Sequence, residues 1–405
     1  MQLIVKPAAS TLAVVLLVSA GCGVTTPSPS PEPSRTQSVT ASPTTVETTS
    51  AAPPPAPSSS ARPEVVDLPL EIHQIPAAFA GHVSALISLG HEMVWSGGEL
   101  AADNNLYRYV PGGDGPEVLF QNPRRDSYLT SIAGSVAGYV FTDDRWVNGE
   151  PRGWALWYLA AAGAEPVLLD QSTDDRLPSP TLAMNDRYIC WEVVHGTWDD
   201  RTNELRVAPV DDPTAAFTLL SIPGNDSYVE FPSLWADELW YGIVDNDWDA
   251  GAEYPRIEMI DLRNPTATPE VFGQDQRAFM PAPSRDVVVW KSGGIDGSNA
   301  LNSGMLTIYR RDSGIIQVLP IPGPTGAANR ITYPSVGDRF VAWWDDIRQR
   351  FYVYDLAEQQ FRRVAEYDWA TDELVTRPSV SGDLLAYLHS GLAGGRTLEW
   401  AWLPD

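Results

Sequence analysis

An aromatic residue set in a short apolar run returns seven times along the chain, at Trp95, Tyr139, Trp191, Trp240, Trp290, Trp343 and Tyr387, with gaps of 44, 52, 49, 50, 53 and 44 residues. The surrounding stretches read ALISLGHEMVWSGG, TSIAGSVAGYVFTDD, SPTLAMNDRYICWEV, FPSLWADELWYGIVD, APSRDVVVWKSGG, YPSVGDRFVAWWDD and RPSVSGDLLAYLHSG. Self-similarity at this period, with several short strands in each period, specifies a radial propeller rather than two ordinary domains. The expected fold is therefore all-β, a seven-bladed β-propeller of four-stranded blades, with a six-bladed ring as the alternative.

The sixth unit is the most legible. Alternation and turn residues predict strands over Tyr333 to Val336, Arg339 to Trp344, Phe351 to Leu356 and Phe361 to Val364, with Gly337 and Asp338 turning the first hairpin. One Trp or Tyr on each second strand is expected to fill the gap between adjacent blades. The last unit has segments at Pro378 to Val380, Leu384 to Leu388 and Thr397 to Trp402, and the chain ends at Asp405 without a fourth. Leu68 to Pro76, LPLEIHQIP, resembles the fourth strands FTLLSIP and IIQVLPIP and is expected to complete the seventh blade, pairing two edges that would otherwise be exposed.

Ahead of the repeats lie two segments of another kind. Residues 1–21 carry one Lys, an apolar run from Ala8 to Val18, then small residues, the pattern of an export signal too short for the roughly 20 residues of a spanning helix. Ser19-Ala20-Gly21-Cys22 resembles the lipobox of bacterial lipoproteins, which implies that Cys22 is lipidated, for example with palmitate, and becomes the first mature residue. Residues 22–66 are rich in Pro, Ser and Thr and read as a disordered linker, with the propeller over 67–405. A Pro-rich chain of this length reaches at most ~120 Å.

The formal charge of −25 belongs almost wholly to the repeats, which makes nucleic acid a poor partner. A monomer is expected, held to the extracytoplasmic face of the cell membrane through the lipid alone. With Cys22 committed to lipid, Cys190 in YICWEV is expected to pack in a strand.

The patterns PSVGDRFVAWWDD followed by FYVYDLAEQQFRRVA, and RPSVSGDLLAY, are similar to the repeat of TolB-like propellers, covering essentially everything after Leu68. The resemblance implies a propeller in the cell envelope that binds proteins or other ligands without chemistry of its own. TolB itself has an α/β domain before its propeller, for which this linker leaves no room, so its translocation role does not transfer.

Loops between second and third strands share one face of a propeller. Here they carry Asp103, Asp143, Asp144, Asp199, Asp200, Asp245, Asp247, Asp249, Asp296, Asp345 and Asp346, several beside an indole. The expected ligand-binding face is Trp146, Trp198, Asp199, Asp200, Trp248, Asp249, Trp344, Asp345 and Asp346; the alternative is a solvated acidic rim. In DNDWDAGAE, the acids Asp245, Asp247, Asp249 and Glu253 are spaced to wrap a Ca²⁺ ion, although Ala250 stands where calcium loops place Gly; calcium is the one cofactor weighed.

No GxSxG, GxxxxGKS or HExxH occurs, and the five histidines have no metal-like spacing. No catalytic residue is assigned. The expected function is capture of an envelope protein, peptide or glycan without catalysis. A carbohydrate-active hydrolase using loop carboxylates at the channel mouth is the alternative, and a structural spacer the third reading.

Overall fold

The computed structural model describes residues 64–404 apart from 100–102, 125, 148–149, 175–176, 198–199, 225, 248–251, 294–303, 320–330, 346–349, 365–373 and 391–395. The described residues form a seven-bladed β-propeller with almost no helix. Each blade is an antiparallel meander whose first strand lies at the axis: His82–Leu89, Ser127–Ser135, Thr181–Met184, Ser227–Trp235, Ala278–Pro283, Ile331–Val336 and Leu374–Ser381. In blade 6 the other three strands are Phe340–Asp345, Arg350–Asp355 and Gln360–Arg363, each within a residue or two of the sequence expectation. Gly337 must be glycine because a Cβ there would meet the carbonyl oxygen of Gly382, in the matching hairpin of blade 7, at 2.3 Å.

The N-terminal segment closes the ring as expected, but less of it takes part. His73–Gln74 pairs antiparallel with Arg396–Trp402, and the Ile75 N–H donates to the Leu398 carbonyl at 2.9 Å. The His73 ring stacks on Trp400 at 4.3 Å, and Gln74 donates to the buried Glu399 at 2.9 Å. Leu68, by contrast, donates to the Arg363 carbonyl of blade 6 at 3.0 Å, continuing a parallel strand, Val65–Asp67, on the outer edge of Gln360–Arg363. One segment therefore serves two blades, and blade 6 has five strands. Val65 and Val66 precede the expected boundary at 67. They are a β-branched pair inside Pro- and Ser-rich sequence, and Val65 packs on the Tyr354 and Phe361 cluster.

The repeated aromatics fill the seams between blades. Trp95 packs with Leu384 and Trp400 of blade 7, Tyr139 and Phe141 with Leu106 of blade 1, Trp191 with Trp154 of blade 2, Trp343 with Ile308 of blade 5, and Tyr387 with Phe351 of blade 6. In every case the aromatic faces the preceding blade. Blade 4 departs in detail: Tyr241 faces blade 3, while Trp240, the expected residue, packs on the other side with Trp290 of blade 5. Each indole removes roughly 200 Å² from water, about 5 kcal/mol at ~25 cal/mol per Å². Cys190 is a buried free thiol in the same packing, its ionisation pushed well up by burial.

Candidate functional site: the axial cavity

Where the seven first strands meet, they leave a cavity of about 420 Å³ to which every blade contributes. Its wall mixes hydroxyls, among them Thr130, Thr181, Ser233, Ser335 and Ser379, with Leu86, Ile132, Phe231, Met280 and four prolines. In every blade but the third, the pairing of first with second strand slips at this level, as between Glu230 and Ser233 or Phe279 and Ala282. Phe231 (φ 51°) and Met280 (φ 58°) sit in these bulges, each directly before a proline. That proline also keeps its predecessor out of the ordinary helical region.

Second strands bring chemistry to this level through a simple register. If the seam aromatic faces the preceding blade, the next residue faces the following one, since side chains alternate along a strand. Around the ring that position is Ser96, Thr142, Glu192, Gly242, Lys291, Trp344 and Leu388. Ser96 donates to the Leu129 carbonyl of blade 2 at 2.6 Å, and Leu388 packs in the cluster shared with blade 1, as the register requires.

One carboxylate, Glu192, occupies that position, and a second, Asp144, stands two residues beyond Thr142 on the same face of its strand. Thr181, on the cavity wall, donates to Glu192 at 2.7 Å, and withdrawal from water pushes the Glu192 carboxyl up to about 7 against the opposing effect of that hydrogen bond. Thr130, also on the wall, donates to Asp144 at 2.9 Å. Burial raises the Asp144 carboxyl as well, outweighing the hydroxyls of Ser179 and Thr130, and the neighbouring charge of Asp143 adds to the rise. Ser179 and Thr181 stand two residues apart in blade 3, so both carboxylates are held from one short extended stretch.

Hydroxyls elsewhere on the wall knit blades together. Ser335 accepts from the Val380 N–H at 2.8 Å and donates to its carbonyl at 3.0 Å. Ser379 accepts from the Ser88 N–H at 2.8 Å.

Of the residues expected on the loop face, Trp146 is exposed and meets Tyr128 edge-on at 6.3 Å, Asp200 is exposed, and Trp344 is half-buried. Trp198, Asp199, Trp248, Asp249, Asp346 and Cys22 lie outside the described residues, as do the side chains of Asp247, Glu253 and Asp345. Asp247 and Glu253 fall on the two arms of one hairpin in blade 4, Glu253 opposite Asn246. Asp245 accepts from Ser227 at 2.7 Å and pairs with Arg256. Among the described residues no group of three His, Cys, Asp or Glu side chains is placed to hold a metal ion.

Sequence reasoning named Asp144 as a loop acid but passed over Glu192, Thr130 and Thr181. The signal was there: Glu192 is an acid in the otherwise apolar run YICWEVV, directly after a seam tryptophan.

These features define a seven-bladed β-propeller with a cavity on its axis. No family model matches the sequence, and no curated protein matches it. Solved structures do. The propeller domain of the Trilobed protease from Pyrococcus furiosus matches over 80% of this chain and 95% of its own, at 11% identity and a TM-score of 0.54. The acylaminoacyl peptidase of Pyrococcus horikoshii matches over 82% of this chain at 11% identity and a TM-score of 0.54, and the chain spans 54% of its length. TolB from Acinetobacter baumannii matches over 81% of this chain and 65% of its own, at 11% identity and a TM-score of 0.40. At such identity the likeness is one of fold.

Proposed function

We propose that this chain is an envelope lipoprotein, lipidated at Cys22 and displayed on its Pro-rich linker, whose propeller captures a protein, peptide or glycan ligand without catalysis. The observation that carries the reading is the axial cavity, built by all seven blades and lined by polar and apolar groups together, the composition that small ligand sites favour. The peptidase propellers and TolB fit a binding domain of this kind. Glu64, the first described residue, lies beside the Glu358–Gln360 turn between third and fourth strands, on the face opposite the loops that carry Trp146 and Asp200.

The test is capture on arrays of envelope-derived peptides and glycans with the full chain in detergent micelles. Wild type should retain ligand. Ser233→Tyr, which sets a ring into the cavity, should lose most of that retention, whereas Trp146→Ala with Asp200→Ala, exposed and outside the cavity lining, should melt within a degree or two of wild type, since surface changes cost within about 0.5 kcal/mol each. Retention of nothing across both arrays would support the spacer instead.

One observation favours the hydrolase as a second reading: Glu192, raised to about 7, has the proton affinity a general acid needs. Against it, a threonine stands between Glu192 and the cavity, and the same holds for Asp144. Release of new reducing ends from an array glycan, abolished by Glu192→Gln, would establish that reading.

A further inference from the structure

A narrower statement about the ligand rests on the binding function proposed above and follows from where the hydroxyl protons point. Thr181 spends its one proton on Glu192, and Thr130 spends its own on Asp144. The 2.9 Å contact between Thr130 and Thr142 must then be donated by Thr142, because Thr130 has no second proton to give. Across the cavity, Ser335 spends its proton on the Val380 carbonyl. These three wall hydroxyls therefore have only oxygen lone pairs left to offer a ligand.

Behind blades 2 and 3 the charge is equally one-sided; the buried cation at the matching position, Lys291, belongs to blade 5 and lies over the Phe279 ring. Among the described residues, the influences on Glu192 are burial and Thr181, and those on Asp144 are burial, two hydroxyls and the like charge of Asp143; a compensating cation is not among them. Both side chains are half-buried, and carboxylates held back from bulk water are ordinarily paired. Beside these two acids lies the cavity whose lining includes the two threonines that hold them.

We propose that the cavity takes a primary ammonium group, the lysyl or N-terminal amine of a peptide segment. The Thr130 and Thr181 oxygens accept its N–H bonds, and Asp144 and Glu192 supply the opposing charge one hydrogen bond behind. An ammonium carries three donors and no acceptor, which matches the acceptor oxygens of Thr130 and Thr181. A sugar hydroxyl, which both gives and takes, would use half its capacity at these positions. The volume accommodates a lysyl side chain with its flanking peptide units. The net charge of −25 draws cations toward the protein as a whole.

The experiment is calorimetric titration of the full chain, in detergent micelles at about pH 8, above the value to which Glu192 is raised, with acetyl-Gly-Lys-Gly-amide and with the same peptide acetylated on the lysine. The lysyl peptide should bind saturably and the acetylated one at least about tenfold more weakly, the loss of one charge-assisted hydrogen bond. Glu192→Gln should weaken lysyl binding by about tenfold and leave the acetylated peptide unaffected. Thr181→Val should do the same and Thr181→Ser should restore binding, which keeps the test decisive if the glutamine variant fails to fold. Equal binding of the two peptides overturns the inference. So does no binding of either while the arrays yield other ligands, and in that case the ligand-binding function stands. Empty arrays together with unbound peptides overturn both.

Discussion

The axial wall carries hydroxyl residues in blades 2 and 3 and in blades 6 and 7, and uses them in opposite ways. Ser335 and Ser379 reach sideways to the backbone of the next blade, so their hydrogen bonds belong to the ring itself. Thr130 and Thr181 reach back to carboxylates, Asp144 and Glu192, whose ionisation burial disfavours. The first arrangement stabilises whatever the pH. The second leaves charge unbalanced next to a cavity and so costs stability once the acids ionise. A fold that needed only closure had no use for the second.

The largest expected effect separates these walls by pH. Glu192 has an ordinary carboxyl value of 4.5 and is raised to about 7 in the fold. Below pH 4.5 folded and unfolded chains both hold the proton and the contribution is intact. As pH rises toward 7 the unfolded chain ionises first while the fold retains the proton, so stability falls, by up to ~3 kcal/mol at 1.36 kcal/mol per unit. Glu192→Gln removes that loss. The variant should therefore denature later than wild type at about pH 8 and within ~1 kcal/mol of it at about pH 4, measured in urea without ligand. Equal stability at both values would mean that Glu192 is freely solvated. A bound ammonium should narrow the pH 8 difference, because it brings a positive charge to the Glu192 side of the cavity.

Next in size is Ser335→Ala. It leaves both the N–H and the carbonyl of Val380 without their partner, at a cost of about 1–3 kcal/mol. The loss should be the same at about pH 4 and pH 8, since nothing at that contact titrates. A loss that varied with pH would dissolve the distinction between the walls.

The fold was legible because its determinants repeat. A seam aromatic must recur once per blade, so seven copies announce the ring, and in blade 6 the strand edges follow from alternation and Gly337. Blade 4 misleads because Trp240 and Tyr241 are adjacent and both buried, and only packing tells which faces blade 3. Closure by His73–Gln74 was visible in LPLEIHQIP; the parallel strand Val65–Asp67 was not, since three residues show no period. At the site, attention to acids in loops found Asp144 and Asp245 but missed Glu192, which sits within a strand. Its partner Thr181 is eleven residues away, and their contact exists only through the pairing of two strands. The residue after each seam aromatic is a rule that could have pointed to it.

The smallest effect is the sharpest check on the proton assignment. Thr130→Val keeps the shape of the side chain and removes one donor to Asp144 and one acceptor for Thr142, a loss of about 1 kcal/mol. Asp144 retains Ser179, which limits the damage. The missing donor matters most to the ionised carboxylate, so the substitution should raise the Asp144 carboxyl further and cost more stability at about pH 8 than at about pH 4, closer to the ordinary value above which burial lifts it. Denaturation of Thr130→Val at the two values reads that difference directly, beside Ser335→Ala as the flat reference. A flat response from Thr130→Val as well would mean that its proton goes to Thr142 rather than to Asp144. In that case the Thr130 hydroxyl would not back onto a charge, and the blade 2 half of the ammonium site would lose its basis while Thr181 and Glu192 kept theirs.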